Sequence, residues 1–106
     1  MIKPSRIRAL CRRIGEEFHP ERIILFGSYA SGHAREDSDV DLLVVMPFQG
    51  KGARKSAEIL NRVEPDFPVD VIVRTPRQMR ERLADSDFFL REVVKNGKIL
   101  YETTHP

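Results

Sequence analysis

The sequence predicts one small α/β domain over residues 1–106, a mixed β-sheet with helices packed mainly on one face and an acidic site at an open strand end. Three observations predict it. Apolar residues fall on helical stripes near both ends, three β-branched runs lie between them, and Gly or Pro punctuates the junctions. A 41% hydrophobic fraction in 106 residues is enough for one packed core. It leaves little length for a separate substrate-binding domain.

From Pro4 to Phe18, Ile7, Leu10, Cys11, Ile14 and Phe18 share one helical stripe, and Pro20 stops the helix. Arg22 to Phe26 is a short apolar strand cut off by Gly27. Ser28 to Gly32 has room for a helical turn or two, and the polar stretch from His33 to Ser38 is a loop. Val40 to Met46 is the most apolar run, interrupted only by Asp41 and closed by Pro47, Gly50 and Gly52, which marks a central strand. Ala53, Ala57, Leu60 and Val63, with Ile59 beside them, repeat helically until Pro65. Val69 to Val73 is a third strand, ended before Pro76. A helical turn near Arg77 to Leu83, a helix from about Phe88 to Lys95 ending at Asn96-Gly97, and a terminal strand Lys98 to Tyr101 complete the chain.

Eighteen Lys and Arg against sixteen Asp and Glu leave a charge of +2, which does not favour direct nucleic-acid binding. The basic groups around Lys3 to Arg13 and Lys51 to Lys55 read as solvated helix faces. The single cysteine, Cys11, has no internal disulfide partner and reads as a helix core residue. No apolar stretch approaches the roughly 20 residues of a membrane span. Nor does a secretory leader follow Met1, so a cytoplasmic location is expected.

An ionised aspartate within a buried strand needs compensation, and the sequence puts Asp41 and Asp70 in such runs. A cation is the natural one. Asp39 and Asp41, two apart, project to the same face roughly 7 Å from each other at the backbone. Mg²⁺ prefers one or two carboxylates with waters and phosphate oxygens, so this pair suits it, and Asp70 on a neighbouring strand would complete the set. Read alone, Asp39 could be a loop or cap residue, and Asp70 a strand-edge carboxylate paired with Arg74. Asp66 is a rival third ligand, although its place beside Pro65 marks a turn.

Gly27-Ser28, between a strand and a short helical segment, is where free backbone N–H groups can bind phosphate oxygens. Gly27 permits close approach of the backbone. Ser28 adds a hydroxyl donor, or else caps the helix. His19, His33 and His105 have no partner motif and read as solvated. Tyr29 is expected to pack beside the turn, while Tyr101 is open between core and interface. Phe88, Phe89 and Tyr101 are candidates for a partner surface.

The stretch Leu25-Phe26-Gly27-Ser28-Tyr29-Ala30-Ser31-Gly32, followed by Asp37-Ser38-Asp39-Val40-Asp41-Leu42, resembles the polymerase-β-like nucleotidyltransferase superfamily. Gly-Ser, ten intervening residues and then Asp-x-Asp is similar to its signature, and Val69-Asp70-Val71 looks like its third carboxylate. By length the chain most resembles the minimal nucleotidyltransferases, many of which are antitoxins beside a helical HEPN toxin. The resemblance implies a nucleotidyltransferase fold in which Gly27 and Ser28 contact the triphosphate of ATP. It implies that Asp39 and Asp41 bind Mg²⁺, and that Asp70 assists the metal or the attacking hydroxyl. Where many such proteins carry a basic residue just before the second glycine, this chain has Ser31, for which Arg35 or Arg54 are candidate substitutes.

The function so implied is transfer of AMP from ATP to a tyrosine hydroxyl of a partner HEPN toxin, in the role of an antitoxin. Two alternatives stand beside it. One is an antitoxin with an idle site that neutralises its partner by covering it. The other is nucleotidyl transfer to a small molecule, as in aminoglycoside nucleotidyltransferases.

Overall fold

The computed structural model describes residues 1–103. His105, read above as solvated, lies outside the described residues. Helix α1 (Pro4–Phe18) leads into β1 (Arg22–Phe26), a four-residue helix α2 (Ser28–Ser31) and β2 (Val40–Val45). Helix α3 (Gly52–Val63), β3 (Val69–Arg74), α4 (Pro76–Ala84), α5 (Phe88–Asn96) and β4 (Lys98–Glu102) follow. The strands form one sheet in the order β3-β2-β1-β4. Strand β1 is antiparallel to both β2 and β4, whereas β2 and β3 run parallel. A parallel pair requires a crossover, and α3 supplies it.

Strand periodicity sorts the side chains onto two faces. One face takes Ile23 and Leu25 of β1, Val40, Leu42 and Val44 of β2, and Val71 and Val73 of β3. Against it pack Ile7, Leu10, Cys11 and Ile14 of α1 with Ile59 and Val63 of α3. This is the larger core, under the two longest helices, as the sheet with helices mainly on one face predicts. The opposite face is covered as well: Ile24, Leu43 and Val45 meet Met79 of α4 and Leu90 and Val93 of α5.

Three local features depart from the sequence pattern. On α3 the core side is Ile59 and Val63, while Ala53 and Ala57 are exposed. The helix is turned by its fit to the sheet: Gly52 lies against the Val73 carbonyl, where a Cβ would approach to 3.0 Å, and Ser56 Oγ donates to Val71 O at 2.6 Å. Second, α4 is a full helix of nine residues. Its start is fixed by a reciprocal cap, with Gln78 N donating to Thr75 Oγ1 at 3.0 Å and Thr75 N to Gln78 Oε1 at 2.9 Å. Third, Tyr101 is a packing residue whose ring covers Gly15 of α1, where any Cβ would collide with it.

Cys11 is fully buried, as expected, and burial pushes its thiol up to about 12. Among the described residues no helix is long and apolar enough to cross a membrane.

Candidate active site

The acidic site is built where β1 and β2 meet. Phe26, the last residue of β1, pairs across the antiparallel ladder with Asp41, and Asp41 pairs across the parallel ladder with Asp70. Residues in register on neighbouring strands project to the same face. The Asp41 and Asp70 carboxylates therefore stand side by side on the face that carries α4 and α5, the face opposite the larger core.

Gly27 closes this corner. Its backbone (φ 73°, ψ −153°) lies in a region open almost only to glycine. The space a side chain would need is filled by the Asp41 carboxylate: an added Cβ would overlap Oδ2 and lie 3.2 Å from Cγ. The Gly27 carbonyl accepts from Ala30 N and Ser31 N, both at 3.1 Å, which starts α2. Gly27 is thus the capping residue and Ser28 the first helical one, so Ser28 is not the cap. The N–H groups of the first turn, at Ser28 and Tyr29, have no carbonyl within the helix to bond. Tyr29 packs against the larger core, and its hydroxyl accepts from Ile2 N at 3.1 Å.

Asp41 is half-buried and its carboxyl is raised above the ordinary range, first by burial, then by the charges of Asp70 and Asp39. The Asp41 carboxyl therefore feels both neighbouring acids, and a charge held in such a partly desolvated corner favours a proton or a cation. Asp70 is exposed, contrary to the reading of it as a buried strand residue. The reason is topological: β3 is an edge strand, and the second core reaches only Ile72 on it. Asp39 is exposed too, in the loop just before β2.

The groups weighed against these acids lie elsewhere in the fold. Arg74 pairs in register with Val45, at the other end of β3 from Asp70, and its Nη1 donates to Val73 O at 2.9 Å. Burial and the nearby Arg82 lower the Arg74 guanidinium from its ordinary value, while Asp87 opposes them; Asp70 plays no part. Asp66 is engaged elsewhere, by Arg6 Nη2 at 2.6 Å. Arg54 lies on α3, against the opposite face, in an exposed depression shared with Glu58 and Arg62, so it cannot stand in for a basic residue at Ser31. Ser31 Oγ itself lies 3.3 Å from Ser28 O, which it bonds as donor, and 3.1 Å from His33 Nδ1.

A metal must be tested against these side chains. Among the described residues no group of three or more His, Cys, Asp or Glu is arranged to hold a metal ion, so Asp39, Asp41 and Asp70 do not form a three-carboxylate metal set. This does not conflict with Mg²⁺, which takes one or two carboxylates and completes its shell with water and phosphate oxygens. Asp39 and Asp41, an exposed and a half-buried carboxylate beside the start of β2, are oxygen donors of the kind such a partial set uses.

Pattern reading missed a cleft of about 430 Å³ beside the turn. Its near wall is Phe26, Gly27 and Ala30; its far wall is Phe89, Glu92 and Asn96 of α5. The Phe26 and Phe89 rings meet edge to face with centroids 5.4 Å apart. Of its lining only Phe89 stands out in the sequence, as a candidate for a partner surface, because the cleft depends on how α5 docks.

Comparison with known proteins agrees with this geometry. A model of the nucleotidyltransferase domain family matches residues 6–101. No functionally curated protein sequence matches the chain. Among solved structures, a putative nucleotidyltransferase from Sulfolobus solfataricus is similar with a TM-score of 0.62 and 20% identity, over 92% of this chain and 78% of that one. A chain of a toxin–antitoxin crystallised with AMP-PNP gives a TM-score of 0.59 at 22% identity, over 92% and 74% of the two chains. A mutant of the toxin–antitoxin MntA–HpeT gives 0.59 at 24%, over 98% and 76%. At these identities the solved structures establish the fold, and the family model establishes the relationship. The chain belongs to the nucleotidyltransferase domain family.

Proposed function

We propose that this domain is a Mg²⁺-dependent nucleotidyltransferase that moves AMP from ATP to a tyrosine hydroxyl of a partner HEPN toxin, and acts as its antitoxin. The observation that carries the reading is the corner in which Asp41, in register with Asp70, fills the space Gly27 leaves open. It brings the triphosphate-binding turn and the carboxylates together on one face. Family membership supports nucleotidyl transfer, and the similar chains crystallised in toxin–antitoxin complexes, one with AMP-PNP, support the nucleotide and the partner.

In this mechanism Gly27 allows the triphosphate to approach the backbone, and Ser28 and the first-turn N–H groups donate to its oxygens. Asp39 and Asp41 would hold Mg²⁺, which supplies neutralising charge to the phosphates. The tyrosine oxygen attacks the α-phosphorus, the bond to the bridging oxygen breaks, and pyrophosphate leaves. Asp70, exposed beside Asp41, is placed to take the hydroxyl proton or pass it to water. An AMP group on the toxin adds negative charge that would repel an RNA backbone, so inhibition would outlast separation of the two proteins.

A second reading has one observation in its favour. With Ser31 in place of a basic residue, the same chain could neutralise its partner by binding alone. The intact mass of the partner separates the two readings, after incubation with ATP, Mg²⁺ and either the parent or the Asp39→Asn, Asp41→Asn protein. A gain of one or more AMP units only with the parent supports transfer. Equal inhibition by both proteins with no gain in mass leaves the binding antitoxin.

A further inference from the structure

The cleft between α2 and α5 adjoins the phosphate turn, and Gly27 belongs to both. Phe26, on its near wall, is the register partner of Asp41. A nucleotide whose phosphates lie at that corner would have beside it a space of about 430 Å³ for its base, within the range of small-ligand sites. Phe26, Phe89, Ala30 and Val93 line it with apolar surface, as a flat ring requires.

The polar edge of the cleft has a definite pattern. Asn96 Nδ2 donates to Glu92 Oε1 at 2.6 Å, which pairs these two exposed side chains on neighbouring turns of α5. Glu92 Oε2 remains as an acceptor, and the second N–H of Asn96 remains as a donor. An acceptor beside a donor complements adenine, which presents an amino group next to a ring nitrogen. Hypoxanthine presents the reverse, a carbonyl beside an N–H, and sets that carbonyl against the Glu92 carboxylate.

We infer that this cleft receives the adenine base of the nucleotide donor, with Phe26 and Phe89 against the ring and Glu92 and Asn96 reading its amino edge. The assignment rests on the nucleotide-binding reading proposed above and adds the base specificity of that site. Glu92 and Asn96 are then specificity residues, distant from the reacting phosphorus, and the carboxylates hold the phosphates whatever base is attached.

Calorimetric titration of the full chain in Mg²⁺ with ATP, inosine triphosphate and inorganic tripolyphosphate tests this. The parent should bind ATP roughly tenfold more tightly than inosine triphosphate, the size expected of a charged hydrogen bond. Glu92→Gln, at an exposed position that tolerates change, can turn its amide to donate as well as accept. It should bring the two affinities close together. Phe89→Ala should weaken both nucleosides and leave tripolyphosphate unchanged. ATP affinity unaltered in both variants, with binding still lost in Asp39→Asn, Asp41→Asn, overturns the cleft and keeps the site. Loss of partner co-purification without loss of ATP in Phe89→Ala overturns it in favour of a protein-docking surface. No ATP binding by the parent removes the cleft assignment together with the function it rests on.

Discussion

The two faces of the sheet are built to different ends. Under α1 and α3, β1 to β3 contribute only Ile, Leu and Val, and no charged group is buried there. On the other face the same strands change character along their length. Near the β2 C-terminus Leu43 and Val45 pack on α4 and α5, while at its N-terminus Asp41 meets Asp70 and Gly27. One face is a stabilising layer, and the other gives up part of its core to hold repelling carboxylates. Alternation in β2 makes this possible, since Val40 and Leu42 anchor the strand on one side while Asp41 is carried on the other.

Neighbouring residues of β1 offer the sharpest way to break this division. Ile23 faces the large core and Ile24 the small one. Each replaced by Ala should lose about 2–5 kcal/mol by chemical denaturation, with Ile23 the larger. If Ile24→Ala were the more costly, the stabilising role would belong to the face under α4 and α5. Gly27→Ala comes next. With positive φ and the Asp41 carboxylate in the way, it should lower stability by about 1–3 kcal/mol and weaken Mg-ATP binding at least tenfold. Retained ATP affinity would detach the turn from the site.

Asp39→Asn, Asp41→Asn should separate stability from function. Mg-ATP binding is lost, yet the metal-free protein melts a few degrees higher, because the change removes mutual repulsion. A lower melting point would mean that these acids support the fold. The dependence on pH sharpens this point. The Asp41 carboxyl is raised in the folded state, so its stabilising contribution is complete at acid pH below the unfolded value. That contribution is lost as pH climbs through the raised folded value. Metal-free melts should show this decline, and Asp41→Asn should flatten it. The smallest effect is at the cap of α4: Thr75→Ala should cost about 1 kcal/mol and leave ATP binding unchanged.

Much of this division can be read from the residues. The strands and α1 follow from runs of β-branched residues and a regular stripe, Asp41 and Asp70 stand out against apolar surroundings, and Gly27 and Asp39 mark the strand junctions. What escaped depends on three-dimensional fit. On α3 the periodic pattern includes Ala53 and Ala57, which are small enough to be exposed without cost, whereas Gly52 and Ser56 are drawn to the sheet by close approach and a hydrogen bond. Asp70 is exposed because β3 is an edge, and strand order is invisible in a hydrophobic run. The reason for Gly15, unusual inside a helix, lies eighty-six residues along the chain, counting from residue 15 to residue 101, in the ring of Tyr101. The full length of helix α4, read in the sequence as a turn near Arg77 to Leu83, is set by its reciprocal cap at Thr75 and Gln78.

The buried thiol of the larger core has a practical consequence. Cys11 is the only cysteine of the chain, is fully enclosed, and holds its proton until about pH 12. A thiol reagent needs both access and the thiolate, and the folded molecule denies it each. Labelling therefore counts molecules whose α1 has left the sheet, without any added dye or tag. If nucleotide engages the opposite face of that sheet, the slowing of Cys11 modification by Mg-ATP would report ligation as protection against opening, from a residue that never meets the ligand.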